Sequence, residues 1–136
     1  MSGGETKPPA RMRAAIRAYD LERSIEFYSV LLGLPVVSRW DHEGGGCILD
    51  AGSGVIELVG KPPGMKLRGG WDFIPPTAKI DLILEVPDVD AWHARLTAAG
   101  GMPESAPADT AWGGRMFRIL DPDETPVVLL TLGKKA

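Results

Sequence analysis

Charged side chains lie at alternate-face positions within stretches that are otherwise apolar, and two such pairs are four residues apart. Arg13 and Arg17 lie in one such stretch, Glu57 in another, and Asp81 and Glu85 in a third. Because successive side chains of a strand point to opposite faces, each set is expected to share one face of a sheet. Glu57 or Asp81 could act as a general base, with Arg13 polarising a carbonyl or holding an anion. Alternatively, the charges could form salt bridges or hold a polar ligand.

Sequence periodicity predicts the elements that carry these residues in the first half of the chain. Residues 12–19 alternate between apolar and polar, which indicates a strand. Asp20 is a good N-cap for a helix that ends at Gly33. Three short strands are predicted to follow, at 35–40, 46–50 and 55–59.

The second half repeats this order of elements. Residues 79–86 alternate, Asp88 caps a predicted helix that ends at Gly100, and strands follow near 103–108, 114–120 and 126–131. Residues 20–35 superpose on 88–103 at an offset of 68, while 48–50 and 56–58 match 119–121 and 127–129 at an offset of 71. The repeat is expected to bring Arg13 near Asp81 and Arg17 near Glu85.

This duplication predicts an α+β fold of two tandem βαβββ modules that form a curved mixed sheet with the helices outside. The first module spans 11–60 and the second 78–132, and together they make one domain, since one module cannot bury both sides of its sheet. Residues 1–10 are predicted to be a disordered tail. Residues 61–77, rich in proline and glycine, are predicted to be a linker.

The composition limits the classes of function. A chain of 136 residues with 44% hydrophobic and 24% charged residues is typical of one soluble globular domain. A net charge of −3 gives no basic surface for nucleic acid, and no apolar run approaches the roughly 20 residues of a membrane helix. The single cysteine, Cys47, excludes an intrachain disulfide and a cysteine-based zinc site. A cytoplasmic location is expected.

Three tryptophans fall where loops are expected to rim a groove: Trp40, Trp71 and Trp112. Such rings stack on flat aromatic ligands, and the alternative is that each covers a sheet edge or a dimer contact. With Arg115 and the charged residues above, they complete the predicted ligand-binding set: Arg13, Arg17, Trp40, Glu57, Trp71, Asp81, Glu85, Trp112 and Arg115.

Three stretches resemble the vicinal oxygen chelate superfamily, which includes glyoxalase I, extradiol dioxygenases and bleomycin resistance proteins. They are residues 19–28 with 32–34, residues 86–91, and residues 118–123. The resemblance implies metal-ligand positions in the first, fourth, fifth and eighth strands, which fall here on Arg13, Glu57, Asp81 and Val128. Arginine stays protonated and valine has no donor atom, so no metal site and no cofactor are expected.

The resemblance therefore implies the branch that binds small molecules without a metal. The leading hypothesis is a metal-independent binding protein for an aromatic or polar ligand, with antibiotic sequestration as one such role. The alternative is a lyase, isomerase or dioxygenase with a divergent site, in which Glu57 and Asp81 act as a base or as weak metal ligands. The resemblance also implies a homodimer; nucleic acid and membranes are not expected as partners.

Overall fold

A computed structural model describes residues 12–61 and 81–133 of the chain. The predicted N-terminal tail and all but the first residue of the predicted linker, including Trp71, lie outside the described residues. The alternating and helical patterns identified in the sequence fall almost entirely within them.

The first module has the predicted order of elements, with a sheet in the order β1-β4-β3-β2. Strand β1 runs parallel to β4, and the other neighbouring strands are antiparallel. The elements are β1 Arg13–Arg17, α1 Leu21–Ile25, a π-helix Glu26–Leu31, β2 Val36–Trp40, β3 Gly46–Asp50 and β4 Val55–Val59.

The second module repeats this topology, with a sheet in the order β5-β8-β7-β6 and β5 parallel to β8. Its elements are β5 Leu82–Glu85, α2 Val89–Ala98, β6 Ala108–Asp109, β7 Gly114–Leu120 and β8 Pro126–Leu132. The α+β fold of two βαβββ modules is confirmed. Strand β6, with two residues, is shorter and later than the predicted 103–108.

The helices begin where the sequence predicts. Asp20 accepts a hydrogen bond from the backbone N–H of Arg23, and Asp88 accepts from those of Asp90 and Ala91, so each carboxylate satisfies N–H groups that the first helical turn leaves free. The first helix differs from a regular α-helix after Ile25, because a π-helix follows. In this segment hydrogen bonds span five residues rather than four.

Both modules contribute to one hydrophobic core. Its fully buried members include Leu49 and Leu58 from the first module and Leu96 and Leu129 from the second. Cys47 is also fully buried there, and burial raises the pKa of its thiol. A small reactive thiol is thus removed from solvent.

Polar contacts also join the modules. The hydroxyl of Tyr28 donates to Asp121 Oδ2 at 2.8 Å, and both residues are buried. Arg95 donates to the backbone carbonyl of Leu31 at 3.3 Å, where the last carbonyls of a helix need partners. The first helical segment is therefore fixed against the second module by a buried side-chain pair and by a capping arginine.

The cross-strand register corrects one part of the repeat. Ile48 pairs with Glu57, whereas Val128, the repeat partner of Glu57, pairs with Arg118 rather than with Ile119. The offset of 71 predicted between strands β3 and β7 is therefore wrong by one residue. The cause is the turn before the last strand, which has four residues (51–54) in the first module and five (121–125) in the second.

The strands β1 and β5 are edges of their sheets in the described part of the chain, since β1 pairs only with β4 and β5 only with β8. Edge strands present unpaired backbone N–H and C=O groups. Neither of the described α-helices, nor the π-helix, is long and apolar enough to span a bilayer.

Candidate functional site

One face of the first sheet carries most of the charged residues that the sequence indicated. On this face, Ala15 of β1 lies opposite Glu57 of β4, and Arg17 of β1 lies opposite Val59 of β4. Arg13 Nη1 donates to Glu57 Oε1 at 3.2 Å, diagonally across the two strands. Among the described residues no ion pair joins Arg13 to Asp81 or Arg17 to Glu85, and the expected nearness of these positions stays a prediction.

The reason is geometric. Asp81 and Glu85 belong to the second sheet, and the two sheets share no backbone ladder between β1 and β5 in the described residues. Glu57 lies on the strand next to Arg13, within reach of its long side chain. The local pair therefore forms, and the two carboxylates of β5 are left exposed.

The corresponding face of the second sheet is mainly apolar. Val128 and Leu130 are buried in its middle strand, and Ile83 beside them is 54% exposed. On the neighbouring strand β7, Arg118 Nε donates to Glu104 Oε1 at 2.7 Å. This hydrogen bond raises the pKa of Arg118, and it does so more than the nearby charge of Asp81. The two faces thus differ in chemistry although their backbones repeat.

A groove of about 570 Å³ separates the two edge strands. Ala14 and Ile56 line one wall, and Leu82 and Leu84 line the other. Because β5 is an edge, the side chains of both its faces reach the groove, including the following: Asp81, Ile83 and Glu85. An apolar cleft with a few polar groups at its rim is the usual form of a small-molecule site.

Two of the predicted tryptophans have partners within their own sheets. Trp40 lies opposite Gly46, where any side chain would collide with the indole. Trp112 covers Gly114 in the same way, and it remains 63% exposed. Neither residue lines the groove between the edge strands. The alternative that each ring covers a sheet position accounts for these contacts.

Arg115 is not brought together with the other predicted site residues. Its Nε and Nη2 donate to both carboxylate oxygens of Asp90 at 2.9 and 3.0 Å, and its Nη1 donates to Asp109 at 3.0 Å. These hydrogen bonds raise the pKa of Arg115 and lower that of Asp90. The side chain therefore links strand β7 to the start of α2.

With this geometry established, comparison with known proteins identifies the family. The family model of the Glyoxalase/Bleomycin resistance protein/Dioxygenase superfamily matches residues 12–129. The chain belongs to this superfamily. A comparison with curated protein sequences finds no match.

Several solved structures share the fold of this chain. TioX from Micromonospora sp. ML1 is 24% identical, with a TM-score of 0.71, over 90% of this chain and 98% of that one. TnmS3, an antibiotic binding protein from Streptomyces sp. CB03234, is 23% identical, with a TM-score of 0.68, over 95% and 100% of the two chains. Lactoylglutathione lyase from Agrobacterium tumefaciens is 22% identical, with a TM-score of 0.69, over 93% and 96%. At these identities the likeness concerns the fold.

The residues at the superfamily's four metal-ligand positions do not suit a divalent metal here. Glu57 is engaged by the guanidinium of Arg13, which is itself a cation, and Val128 has no donor atom. Asp81 lies on the other sheet. Among the described residues no three histidine, cysteine, aspartate or glutamate side chains cluster as a metal site would require.

The apolar lining of the groove was missed by sequence reasoning. Alternation assigns Ala14, Leu82 and Leu84 to the helix-covered face, and Leu82 and Leu84 do pack against the core. Each is only partly buried, because the sheets end at β1 and β5 and leave a gap there. No residue pattern within a single strand signals that it will be an edge beside a gap.

Proposed function

We propose that this superfamily member is a metal-independent small-molecule-binding protein that holds its ligand in the groove between β1 and β5. The observation that carries the proposal is the groove itself, whose volume of about 570 Å³ falls in the range of ligand pockets. The absence of a suitable donor set at Arg13, Glu57, Asp81 and Val128 supports binding without a metal.

Antibiotic sequestration is the specific role we propose for this binding. TnmS3, which shares the fold, is described as an antibiotic binding protein. An apolar cleft that buries a ligand without reacting with it would suffice for such a role. The predicted ligand is aromatic or polar, and nucleic acid and membranes are not proposed as partners.

Two-dimensional amide NMR during titration with a panel of aromatic and peptide antibiotics tests the proposal. Ligand binding is expected to shift the amides of β1, the turn at 51–54 and β5. Ala14→Phe fills the groove and should abolish the shifts, whereas Ala94→Phe, at an exposed position of α2, should leave them unchanged. Shifts confined to other surfaces, or equal binding by both variants, would contradict the proposal. A circular dichroism spectrum confirms that each variant is folded.

Catalysis by a divergent site is the second candidate. One oxygen of Glu57 accepts from Arg13, and the other has no hydrogen-bond partner among the described residues, so it is available as a base. Lactoylglutathione lyase shares the fold. If a reaction is found, Glu57→Gln should abolish turnover while Glu43→Gln, in an exposed turn, should not. Full activity of Glu57→Gln would exclude this role.

A cytoplasmic homodimer is the assembly we propose. The edge of β2, which is unpaired among the described residues, and the exposure of Val37 on this strand at 62% are features that proteins commonly cover. Sedimentation equilibrium should give twice the mass of 14.6 kDa. A single-chain mass at all concentrations would refute the dimer and leave the ligand proposal standing.

A further inference from the structure

The charge of the groove is one-sided. Its described lining includes two carboxylates, Asp81 and Glu85, and no lysine or arginine. Both side chains are exposed and form no ion pair with another described residue. Two described arginines of the same sheets are paired with other carboxylates, since Arg13 binds Glu57 and Arg118 binds Glu104. Among the described residues, a ligand in the groove therefore meets two carboxylates and no cationic side chain.

The backbone of β5 adds unpaired hydrogen-bonding groups. As an edge strand it pairs only with β8, so the carbonyls and the N–H groups on its groove side have no ladder partner in the described residues. A ligand that donates hydrogen bonds can satisfy these carbonyls and the two carboxylates together. An anionic ligand could accept from the backbone N–H groups, but the described lining holds no cationic side chain to offset the repulsion by the two carboxylates.

The spacing of the two carboxylates defines the shape of the ligand. Asp81 and Glu85 are four residues apart on one side of the strand, which places them roughly 13 Å apart. Ile83 lies between them and is 54% exposed, and Leu82 and Leu84 supply apolar surface on the other side. The groove therefore offers an apolar strip with a negative group at each end.

We propose that the groove between β1 and β5 selects amphipathic cations, in which an apolar body lies along Ile83 and a protonated amine is held by Asp81 or Glu85. This inference rests on the proposed small-molecule function and adds the chemical class of the ligand. It commits the groove to a small cationic molecule rather than to a second copy of the chain.

Three probes of equal ring size and different charge test it: 1-naphthylmethylammonium, 1-naphthylmethanol and 1-naphthylacetate. Isothermal titration calorimetry at low salt should give a Kd about tenfold lower for the ammonium than for the alcohol, with the acetate weakest. At 1 M salt, where the screening length is about 3 Å, the preference should fall to roughly twofold.

Paired variants separate local recognition from overall charge. Asp81→Asn/Glu85→Gln should reduce the ammonium preference to about twofold and leave the affinity for the alcohol unchanged. Glu43→Gln/Glu124→Gln changes the net charge by the same amount, lies outside the groove, and should retain the preference. Equal loss in both variants would show that overall charge, and not the groove, selects the cation.

The possible outcomes distinguish this inference from the function on which it rests. If all three probes bind equally well, the ligand class is wrong and small-molecule binding stands. If none binds at millimolar concentration, both fail. If higher protein concentration produces a dimer and abolishes binding of the ammonium, the second copy occupies the groove and the inference is overturned.

Discussion

The hydroxyl of Tyr28 links the two modules, and its removal gives a measurable loss of stability. Tyr28→Phe deletes the donor to Asp121 Oδ2, which lies 2.8 Å away. The other carboxylate oxygen still accepts from the backbone N–H groups of Asp123 and Thr125, so the turn keeps its own hydrogen bonds. The change therefore removes one contact and leaves a buried carboxylate oxygen without its partner.

The expected loss follows from the burial of both groups, since Tyr28 is 0% and Asp121 4% exposed. A hydrogen bond to a charged acceptor contributes about 2 kcal/mol when the acceptor cannot turn to water. This is a large share of the roughly 5–15 kcal/mol that stabilises a domain. The urea midpoint should fall by about 1 M and the Tm by about 7 °C.

Urea unfolding followed by circular dichroism measures the loss, with Tyr19→Phe as the matched control. Tyr19 is 63% exposed, so its variant should lie within about 0.5 kcal/mol of the wild type. A loss below about 0.5 kcal/mol for Tyr28→Phe would refute the assignment of this contact as a link between modules.

The pH dependence provides a second readout of the same contact. Burial, more than the neighbouring Asp121 carboxylate, raises the pKa of Tyr28 well above its ordinary value of 10.0. The unfolded chain therefore releases this proton above pH 10 while the folded chain keeps it, so the stabilisation is complete below pH 10 and is lost as the pH rises. The difference in unfolding free energy between wild type and Tyr28→Phe should shrink above pH 10; a constant difference would contradict the argument.

Three further predictions concern other parts of the molecule. The hydrogen bond from Arg115 lowers the pKa of Asp90 from 3.8, so the stability that this pair provides should be lost as the pH falls below about 4. Asp90→Asn should flatten that part of the acid unfolding curve, and an unchanged curve would contradict the prediction. Gly46→Ala should destabilise by about 1–3 kcal/mol in urea unfolding because a side chain there collides with Trp40, whereas Ser53→Ala at an exposed turn should be neutral; equal stability of the two would refute the contact. Protein purified without chelator should contain less than about 0.1 divalent metal per chain by elemental analysis, and a stoichiometric metal would overturn metal-independent binding.

The sequence predicts the elements of this fold well because their signals are local. The carboxylates of Asp20 and Asp88 cap helices at the expected residues, and the alternation around Ile56 and Leu58 correctly gives the buried face. The repeat extends these signals to the second module, where Val127 and Leu129, the counterparts of Ile56 and Leu58, are also buried. Local patterns also place Glu57 on the uncovered face.

The site is less predictable because it depends on how the modules meet. The sequence contains no signal that Arg13 will bind Glu57 instead of Asp81, since that choice depends on the gap between the sheets. The turn before the last strand differs by one residue between the modules, which shifts the third strand of one module relative to that of the other. Residues that match in the sequence repeat, such as Ile48 and Ile119, therefore lie on opposite faces of their sheets. The partners of side chains at a sheet edge depend on tertiary packing and not on the local sequence.

The π-helix at Glu26–Leu31 has a consequence for how the chain tolerates changes in length. Its backbone closes over five residues, as from Leu32 N–H to the Phe27 carbonyl at 2.9 Å, and so accommodates one residue more than a regular α-helical turn. Deletion of Ser29 would permit an ordinary turn, but it would also rotate Tyr28 relative to everything that follows. In this turn the length of the chain and the packing of the two modules are therefore coupled. A single-residue deletion should leave the segment helical but disturb the hydrogen bond from Tyr28 to Asp121 in the second module.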